Sequence, residues 1–189
     1  LPGYSPWTPA VILGLLTVGA LLFEYLRFHN ATVQRLFTSA GSSMLRSSEK
    51  NTLTGATYIF MSACICSVLF VNHRHIAFIA LSLFILGDAV AALVGISVGR
   101  IKIGKKSLEG SAACFLLGLL LFLFVYPQVP MLLDQWQGAV PLPLIFIASL
   151  ANTVFELFPV GGERIKINDN LSVPVITGTL LLAFYPFFS

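Results

Sequence analysis

Charged side chains are scarce in this sequence. Asp, Glu, Lys and Arg make up 10% of its 189 residues, whereas a soluble domain usually has about 25%. Hydrophobic residues make up 57%, and the mean hydropathy is +0.89. Polar groups are therefore too few to cover the surface of a water-soluble globule. The composition excludes that class and predicts an all-α, polytopic integral membrane helix bundle.

Cysteine is also scarce, and the motifs of soluble enzymes are missing. Cys64, Cys66 and Cys114 all lie in apolar runs, which excludes a disulfide framework or a zinc site and predicts buried thiols. No Ser-His-Asp or Cys-His arrangement, GxGxxG fingerprint or Walker A loop is present, and nothing indicates nucleic acid as a partner. The chain begins at Leu1 without a basic leader, which is typical of a processed end rather than of a signal peptide.

Six apolar runs come close to the length of roughly 20 residues that a helix needs to cross a bilayer. These spans are predicted at about residues 8–28, 52–71, 75–98, 108–126, 139–158 and 173–188. Residues 29–51 mix apolar with basic side chains and predict an interfacial helix or lid along the membrane. No internal repeat is present, so we interpret residues 1–189 as a single membrane domain.

Basic residues are distributed unevenly between the two sides that six spans define. The connections 29–51, 99–107 and 159–172, with the neighbouring helix ends, hold every lysine and arginine except Arg74. Such asymmetry marks the cytoplasmic side of a membrane. All acidic residues except Asp134 lie toward the same face. We therefore expect an integral protein of a bacterial inner or plasma membrane, in contact with the lipid bilayer, whose active site lies on the cytoplasmic side.

Carboxylates stand inside three of the predicted spans, namely Glu24, Asp88 and Glu156. A carboxylate at the bilayer centre costs roughly 2.5–3.5 kcal/mol on insertion scales, so it needs a partner, a cavity or a function. For Asp88 and Glu156 we predict Mg²⁺ ligation or proton abstraction from an alcohol, against an ion pair that orients helices. For Glu24 an ion pair with Arg27, one turn away, is expected instead.

A basic segment follows Asp88. The small residues of the 89–99 stretch allow backbones or a ligand to approach closely. Four basic side chains come next: Arg100, Lys102, Lys105 and Lys106. Ser107 can cap the fourth span, whose N-terminus then favours a bound phosphate. The alternative interpretation is a positive-inside signal or contact with anionic lipids.

Amide and carboxylate side chains alternate just before the last span. Asn168, Asp169 and Asn170 supply oxygen ligands for Mg²⁺, and the amides can also donate to a ribose or a base. The alternative is an Asx turn that caps the last helix, with Pro174 in its first turn. Residues 161–166 add two glycines and two basic side chains, which favours a ligand clamp.

Two stretches of the chain read LGDAVAALVGISVGRIKIGKKSLEGS and, further along, FELFPVGGERIKINDNLSVPVITG. Together they resemble the CTP-dependent lipid kinases. A third segment, MLRSSEKNTLTGATY, is similar to the cytoplasmic loop of the diacylglycerol and phytol kinase branches. The family includes dolichol (polyprenol) kinases, phytol kinases and fungal-type diacylglycerol kinases, and it is distantly similar to the CTP:phosphatidate cytidylyltransferases. The resemblance covers residues 35–182.

The resemblance implies that the γ-phosphate of CTP is transferred, with Mg²⁺, to a membrane lipid alcohol such as diacylglycerol, a polyprenol or phytol. On its motifs we assign catalysis to Asp88, Glu156 and Asp169, and Mg²⁺ binding to Asp88 and Asp169. The motifs and the shared face together assign nucleotide binding to Lys102, Lys105, Lys106, Ser107, Gly110, Asn168 and Asn170. Small-residue helix faces are compatible with a homo-oligomer.

Two features depart from the family pattern. Asn168 stands where many members have Asp, which changes the number of carboxylates available to a metal. An Arg-Lys-x-x-His element of an earlier span is not found; an upstream element of this kind would add a seventh span. Two other functions remain open at this point. Cytidylyl transfer from CTP to phosphatidate would use a similar site, and a transporter of an anionic metabolite would need polar residues that continue to the outer face.

Overall fold

The computed structural model describes residues 5–41, 52–136, 140–158 and 167–187. Its helices and strands are α1 (Thr8–His29), α2 (Ala31–Gly41), α3 (Gly55–Leu69), α4 (Arg74–Ser97), β1 (Lys102–Ile103), β2 (Lys106–Ser107), α5 (Leu108–Leu120), α6 (Pro130–Leu133), α7 (Leu142–Leu157) and α8 (Asp169–Phe184). α5 continues through a π-helical and a 3₁₀ turn to Gln128. The architecture is the all-α membrane helix bundle that the composition predicts.

Apolar helices occupy all six predicted span positions. Four of them are long and apolar enough to cross a membrane, namely Thr8–His29, Arg74–Ser97, Leu108–Gln128 and Asp169–Phe187. α3 and α7 are apolar but have 15 and 16 residues. That is about 23 Å of helix, less than the roughly 30 Å of a hydrocarbon core. The structure confirms a polytopic bundle, and six complete crossings stay a prediction.

The last helix begins earlier than its apolar run predicts. α8 starts at Asp169 because Asn168 caps it, accepting a hydrogen bond on its side chain from the N–H of Asn170. Polar residues then form the first turn. Pro174 lies inside the helix, beyond the first turn, where its ring removes the hydrogen bond to the carbonyl of Asn170. The helix thus starts four residues before the apolar run at about residue 173, because hydropathy does not detect a polar first turn, and the alternative that places Pro174 in the first turn does not agree with the structure.

The segment after the first span is helical where the structure describes it. α2 packs against α1, and residues 42–51 lie outside the described part of the chain. The ring of Phe37 lies 4.7 Å from the guanidinium carbon of Arg27, whereas Leu36 is 65% exposed. This one-sided contact is compatible with a helix lying along the bilayer surface, and the interfacial position stays a prediction.

Four helices, α4, α5, α7 and α8, pack together at the centre of the bundle. α3 packs on α8, and α1 packs on α3 at the edge. The apolar core lies toward the end that carries the 70–73 and 126–141 connections. Cys66 and Cys114 are buried free thiols, as predicted, and Cys64 is a half-buried one. The opposite ends of the central helices carry the polar residues of the candidate site.

Glycines bring α5 against the last turns of α4. A Cβ atom at Gly110 would lie 2.5 Å from the carbonyl oxygen of Ala91, and one at Gly95 would lie 2.8 Å from Oγ of Ser107. Side-chain atoms do not fit at such distances, so both positions need glycine. The close approach predicted for the 89–99 stretch is therefore a contact between helices of the same chain at these positions.

Gly110→Ala is expected to destabilise the protein, because the new methyl group collides with a backbone oxygen of α4. Overpacking of this kind costs roughly 1–3 kcal/mol. Gly19→Ala is the matched control, since nothing lies within 4 Å of a Cβ atom there and alanine favours a helix over glycine. Thermal unfolding of both variants in one detergent measures the difference. Equal melting temperatures would contradict the close contact at Gly110.

Candidate active site

Three carboxylates converge on one lysine. Oδ1 of Asp88, Oε1 of Glu156 and Oδ2 of Asp169 lie 3.2, 2.5 and 3.1 Å from Nζ of Lys106. Asp88 belongs to α4, Glu156 lies at the end of α7 and Asp169 opens α8, while Lys106 lies in β2. We call these four residues the Lys106 cluster. The structure thus brings together the three residues predicted to be catalytic.

The Lys106 cluster carries three negative charges against one positive charge. Burial lowers the pKa of Lys106, but its hydrogen bond to Glu156 and the charges of the three carboxylates outweigh burial and raise that pKa above the ordinary lysine value. Lys106 therefore stays protonated at neutral pH. Oε2 of Glu156 is buried and has no hydrogen-bond partner among the described residues. The cluster can accept a further donor or cation.

A tight β-hairpin between α4 and α5 carries Lys106. β1 and β2 are antiparallel, with Lys102 opposite Ser107. Gly104 turns the chain with a φ of 61°, a left-handed conformation that glycine adopts without strain. The sequence does not predict this hairpin, because a strand of two residues has no detectable periodicity. The hairpin turns Lys106 back toward the helix ends.

The other two lysines predicted to bind the nucleotide lie on the same hairpin, outside the cluster. Lys105 is exposed. Lys102 is also exposed, and its Nζ donates to the carbonyl oxygen of Gly95 at 3.1 Å. Both lysines lie on the hairpin that carries Lys106, and their contact with a nucleotide stays a prediction.

Ser107 and Gly110 lie beneath the hairpin. Ser107 caps α5 as predicted, because its Oγ accepts a hydrogen bond from the N–H of Gly110 at 3.1 Å. Ser107 is 4% exposed, and Gly110 packs on α4. The hydroxyl of Ser107 is thus used within the chain. A role of either residue in nucleotide binding stays a prediction.

Asn168 and Asn170 hold the start of α8. Oδ1 of Asn168 accepts from the N–H of Asn170 at 3.0 Å, which is the Asx-type cap considered from the sequence. Nδ2 of Asn170 donates to the carbonyl oxygen of Gly55 at 3.1 Å. The two amides therefore fix the backbone on either side of Asp169, and their contact with a nucleotide stays a prediction. Residues 159–166, which include the predicted ligand clamp, lie outside the described residues.

Glu109 is a residue that the sequence analysis did not assign to the site. Its carboxylate accepts hydrogen bonds from the backbone N–H groups of Arg100 at 3.0 Å and Ile101 at 3.1 Å. These bonds hold the chain where it leaves α4 and enters the hairpin. An acidic residue in the first turn of a helix is a recognisable signal, but nothing in the sequence indicates its distant backbone partners.

The predicted ion pair of Glu24 and Arg27 is confirmed. Oε2 of Glu24 lies 2.6 Å from Nη2 of Arg27, and each side chain is 2% exposed. Among the described residues, Thr52, Thr54 and Thr57, at and just before the start of α3, form hydrogen bonds with this pair. Glu24 thus has a role different from that of the acids in the Lys106 cluster.

The chain has relatives among known proteins. A probable phytol kinase of Triticum aestivum is 33% identical over 71% of this chain and 45% of its own length. CTP-dependent diacylglycerol kinase 1 of Schizosaccharomyces pombe is 29% identical over 92% of this chain and 78% of its own length. The chain belongs to the family of CTP-dependent lipid kinases.

The other comparisons are less informative. An uncharacterised protein of Rickettsia prowazekii is 28% identical over 88% of the chain and 77% of its own length. No family model matches the chain, and no solved structure matches it significantly. The chain spans less than half the length of the wheat phytol kinase. Membership of the lipid kinase family agrees with the resemblance found in the sequence.

Mg²⁺, which the lipid kinase resemblance implies, has to fit the side chains of the cluster. Mg²⁺ prefers oxygen ligands, and Asp88 and Asp169 present carboxylates beside the unpartnered Oε2 of Glu156. The described residues contain no group of three or more His, Cys, Asp or Glu arranged to hold a metal, and the ammonium of Lys106 occupies the centre. The carboxylate oxygens are of the type that Mg²⁺ binds, whereas in this structure they surround the ammonium group of Lys106.

Lys106→Met is expected to destabilise the protein by roughly 2–4 kcal/mol near neutral pH, because it leaves three carboxylates unpaired, one of them fully buried. Thermal unfolding in detergent near neutral pH measures the effect.

Lys105→Met is the matched control, because it removes the same charge from an exposed neighbour. Its stability is expected to stay within about 0.5 kcal/mol of the parent. If Lys106→Met and Lys105→Met unfold at the same temperature, the Lys106 cluster does not hold the helix ends together.

Proposed function

We propose that this chain transfers the γ-phosphate of CTP to the hydroxyl group of a membrane lipid alcohol at the cytoplasmic face. The observation that carries the proposal is the Lys106 cluster, in which Asp88, Glu156 and Asp169 contact one lysine. The names of the relatives support the reaction class, since one is a CTP-dependent diacylglycerol kinase and another a probable phytol kinase.

Phosphoryl transfer depends on positioned positive charge around the phosphates. The side chain of Lys106 is 24% exposed, so its ammonium can turn from the carboxylates toward the phosphates of CTP. Lys102 and Lys105 add charge at the entrance. Asp88 and Asp169 would hold Mg²⁺, which neutralises charge on the transferring phosphate when bound.

Glu156 is the proton acceptor for the lipid hydroxyl in this proposal. Its side chain is buried, Lys106 binds one of its oxygens, and the other has no partner among the described residues. A buried carboxylate that loses its ammonium partner to the nucleotide takes up a proton readily. The hydroxyl oxygen then attacks the γ-phosphorus, the bond to the β–γ bridging oxygen breaks, CDP leaves and the proton stays on Glu156.

The acceptor reaches the site from the bilayer. Phe78 and Ile85 are 44% and 42% exposed on α4. They lie on one face of that helix, which leads from its outer half to Asp88. An apolar surface of this kind accepts the tail of diacylglycerol, of a polyprenol or of phytol alike. The tail would lie along α4, with its hydroxyl group at the cluster.

Buried apolar side chains between the Lys106 cluster and the outer end of the bundle disfavour a transport path. A transporter would need polar side chains that continue toward the outer end. Leu83, Phe84, Phe122 and Leu144 fill the centre of that half and are each at most 3% exposed. This apolar packing favours an enzyme site at one face over a transport path.

Detergent-purified protein with Mg²⁺ and CTP labelled on the γ-phosphate is expected to label a lipid when diacylglycerol, a polyprenol and phytol are offered separately. ATP labelled in the same way tests the choice of donor. Label that reaches phosphatidate from the α-phosphate of CTP, with none transferred from the γ-phosphate, would assign cytidylyl transfer instead. No transfer from either label would contradict the proposed activity.

Asp88→Asn is expected to lower kcat roughly 100-fold or more, because the amide keeps the shape but loses the charge that faces Lys106 and would hold Mg²⁺. Ser97→Ala on the same helix is the control, since Ser97 is exposed and bonds the carbonyl of Leu93 in its own helix. Transfer of the γ-label by the folded variants measures both. An Asp88→Asn protein as active as Ser97→Ala would remove Asp88 from the catalytic residues.

A further inference from the structure

We propose that the buried pair of Glu24 and Arg27 positions the carboxylate of Asp169 through the start of α3. The inference rests on the proposed kinase function, in which Asp169 is one of the acids of the Lys106 cluster. The pair belongs to α1, which packs on α3, and α3 packs in turn on α8. Glu24 and Arg27 are therefore positioning residues and not catalytic ones.

Both charges of the pair are bound to the segment that enters α3. Nη2 of Arg27 donates to the carbonyl oxygen of Thr52 at 2.7 Å. Oε1 of Glu24 accepts from the N–H of Thr54 at 2.8 Å and from the hydroxyl of Thr57 at 3.1 Å. A buried ion pair is costly unless such bonds satisfy it, so moving this segment away would leave the buried pair without these hydrogen bonds.

The contact fixes the first turn of α3 at two points. Thr54 is the N-cap of α3, and its side chain accepts from the N–H of Thr57. Glu24 therefore binds the capping residue through its backbone and a residue of the first turn through its hydroxyl. Hydrogen bonds to an ionised group are the stronger kind. The start of α3 can neither rotate nor slide without breaking one of them.

The first turn of α3 is in turn bonded to the start of α8. The carbonyl oxygen of Gly55, the residue after the cap, accepts from Nδ2 of Asn170 at 3.1 Å. The N–H of Asn170 donates to Oδ1 of Asp169 at 3.1 Å, and the other carboxylate oxygen contacts Lys106. A continuous path of bonds and one peptide step thus leads from α1 to the cluster.

Attachment of α1 to the bundle does not by itself require a buried ion pair. In the middle of the same two helices, Oγ1 of Thr17 donates to the carbonyl oxygen of Phe60 at 3.0 Å. That contact fastens α1 to α3 away from the cluster and without charge. The ion pair differs from it in its target, because its described bonds reach residues 52–57, next to the carbonyl of Gly55 that Asn170 binds.

Thr57→Val, Thr57→Ser and Thr17→Val form a matched set. Thr57→Val keeps the shape of the side chain and removes the hydroxyl that Glu24 holds, whereas Thr57→Ser keeps the hydroxyl. Thr17→Val removes the hydrogen bond that joins α1 to α3 in the middle of the two helices. We expect Thr57→Val to lower kcat about tenfold with little change in KM for CTP, since a displaced carboxylate affects the chemical step most.

Two readouts separate positioning from general stability. Thr57→Val is expected to need more Mg²⁺ for half its maximal rate, because Asp169 would hold the ion, and Thr57→Ser is expected to restore the parent value. Thr17→Val is expected to keep both kcat and the Mg²⁺ dependence of the parent, even if its melting temperature falls. A fall in kcat as large in Thr17→Val as in Thr57→Val would overturn the proposal.

Hydrogen exchange tests the same path without relying on activity. The backbone amides of Asn170, Leu171 and Ser172 all bond to Asn168 at the start of α8. Thr57→Val is expected to speed their exchange in detergent, and Thr17→Val is not. Unchanged exchange in Thr57→Val overturns the positioning path whether or not the parent protein transfers phosphate. Faster exchange in a parent that transfers no γ-phosphate supports the path and overturns the proposed function.

Discussion

One ammonium group holds together helix ends that would otherwise repel each other. Carboxylates from α4, α7 and α8 meet around Lys106, at the polar end of a bundle whose other half is apolar. The ammonium offsets much of the cost of burying Glu156, yet the cluster stays net negative. A site that is stable and incompletely neutralised is suited to receive a further cation.

The polar side chains around the Lys106 cluster accept hydrogen bonds from backbone N–H groups. Glu109 holds the entry to the hairpin, Ser107 caps α5 and Asn168 caps α8. Because phosphoryl transfer asks little covalent chemistry of a protein, the accuracy with which a few charges are held decides its rate. Ser107, which the resemblance matches to a family motif, thus contributes to the geometry of the site whether or not it also contacts a substrate.

The sequence predicts those parts of the structure that depend on local composition. Hydropathy locates the six apolar helices, and a spacing of three residues predicts the pair of Glu24 and Arg27, because both signals lie within a few turns. The convergence of three acids on Lys106 depends on how helices that are distant in sequence pack together. Hydrophobic periodicity in a single sequence does not report that packing. The early start of α8 was missed for a related reason, since Asp169 and Asn170 are polar and yet helical.

At this site, the close packing of glycines determines where the charged side chains lie. Gly95 and Gly110 allow α4 and α5 to approach until Ser107 is enclosed between them. The hairpin that joins these helices has its far end fixed by that approach and its near end fixed by Glu109. Because both ends of the hairpin are fixed, β2 directs Lys106 toward the carboxylates and leaves Lys105 exposed. Gly95 and Gly110, which the sequence suggests as contacts for a ligand, therefore act indirectly. Their packing determines which lysine enters the Lys106 cluster.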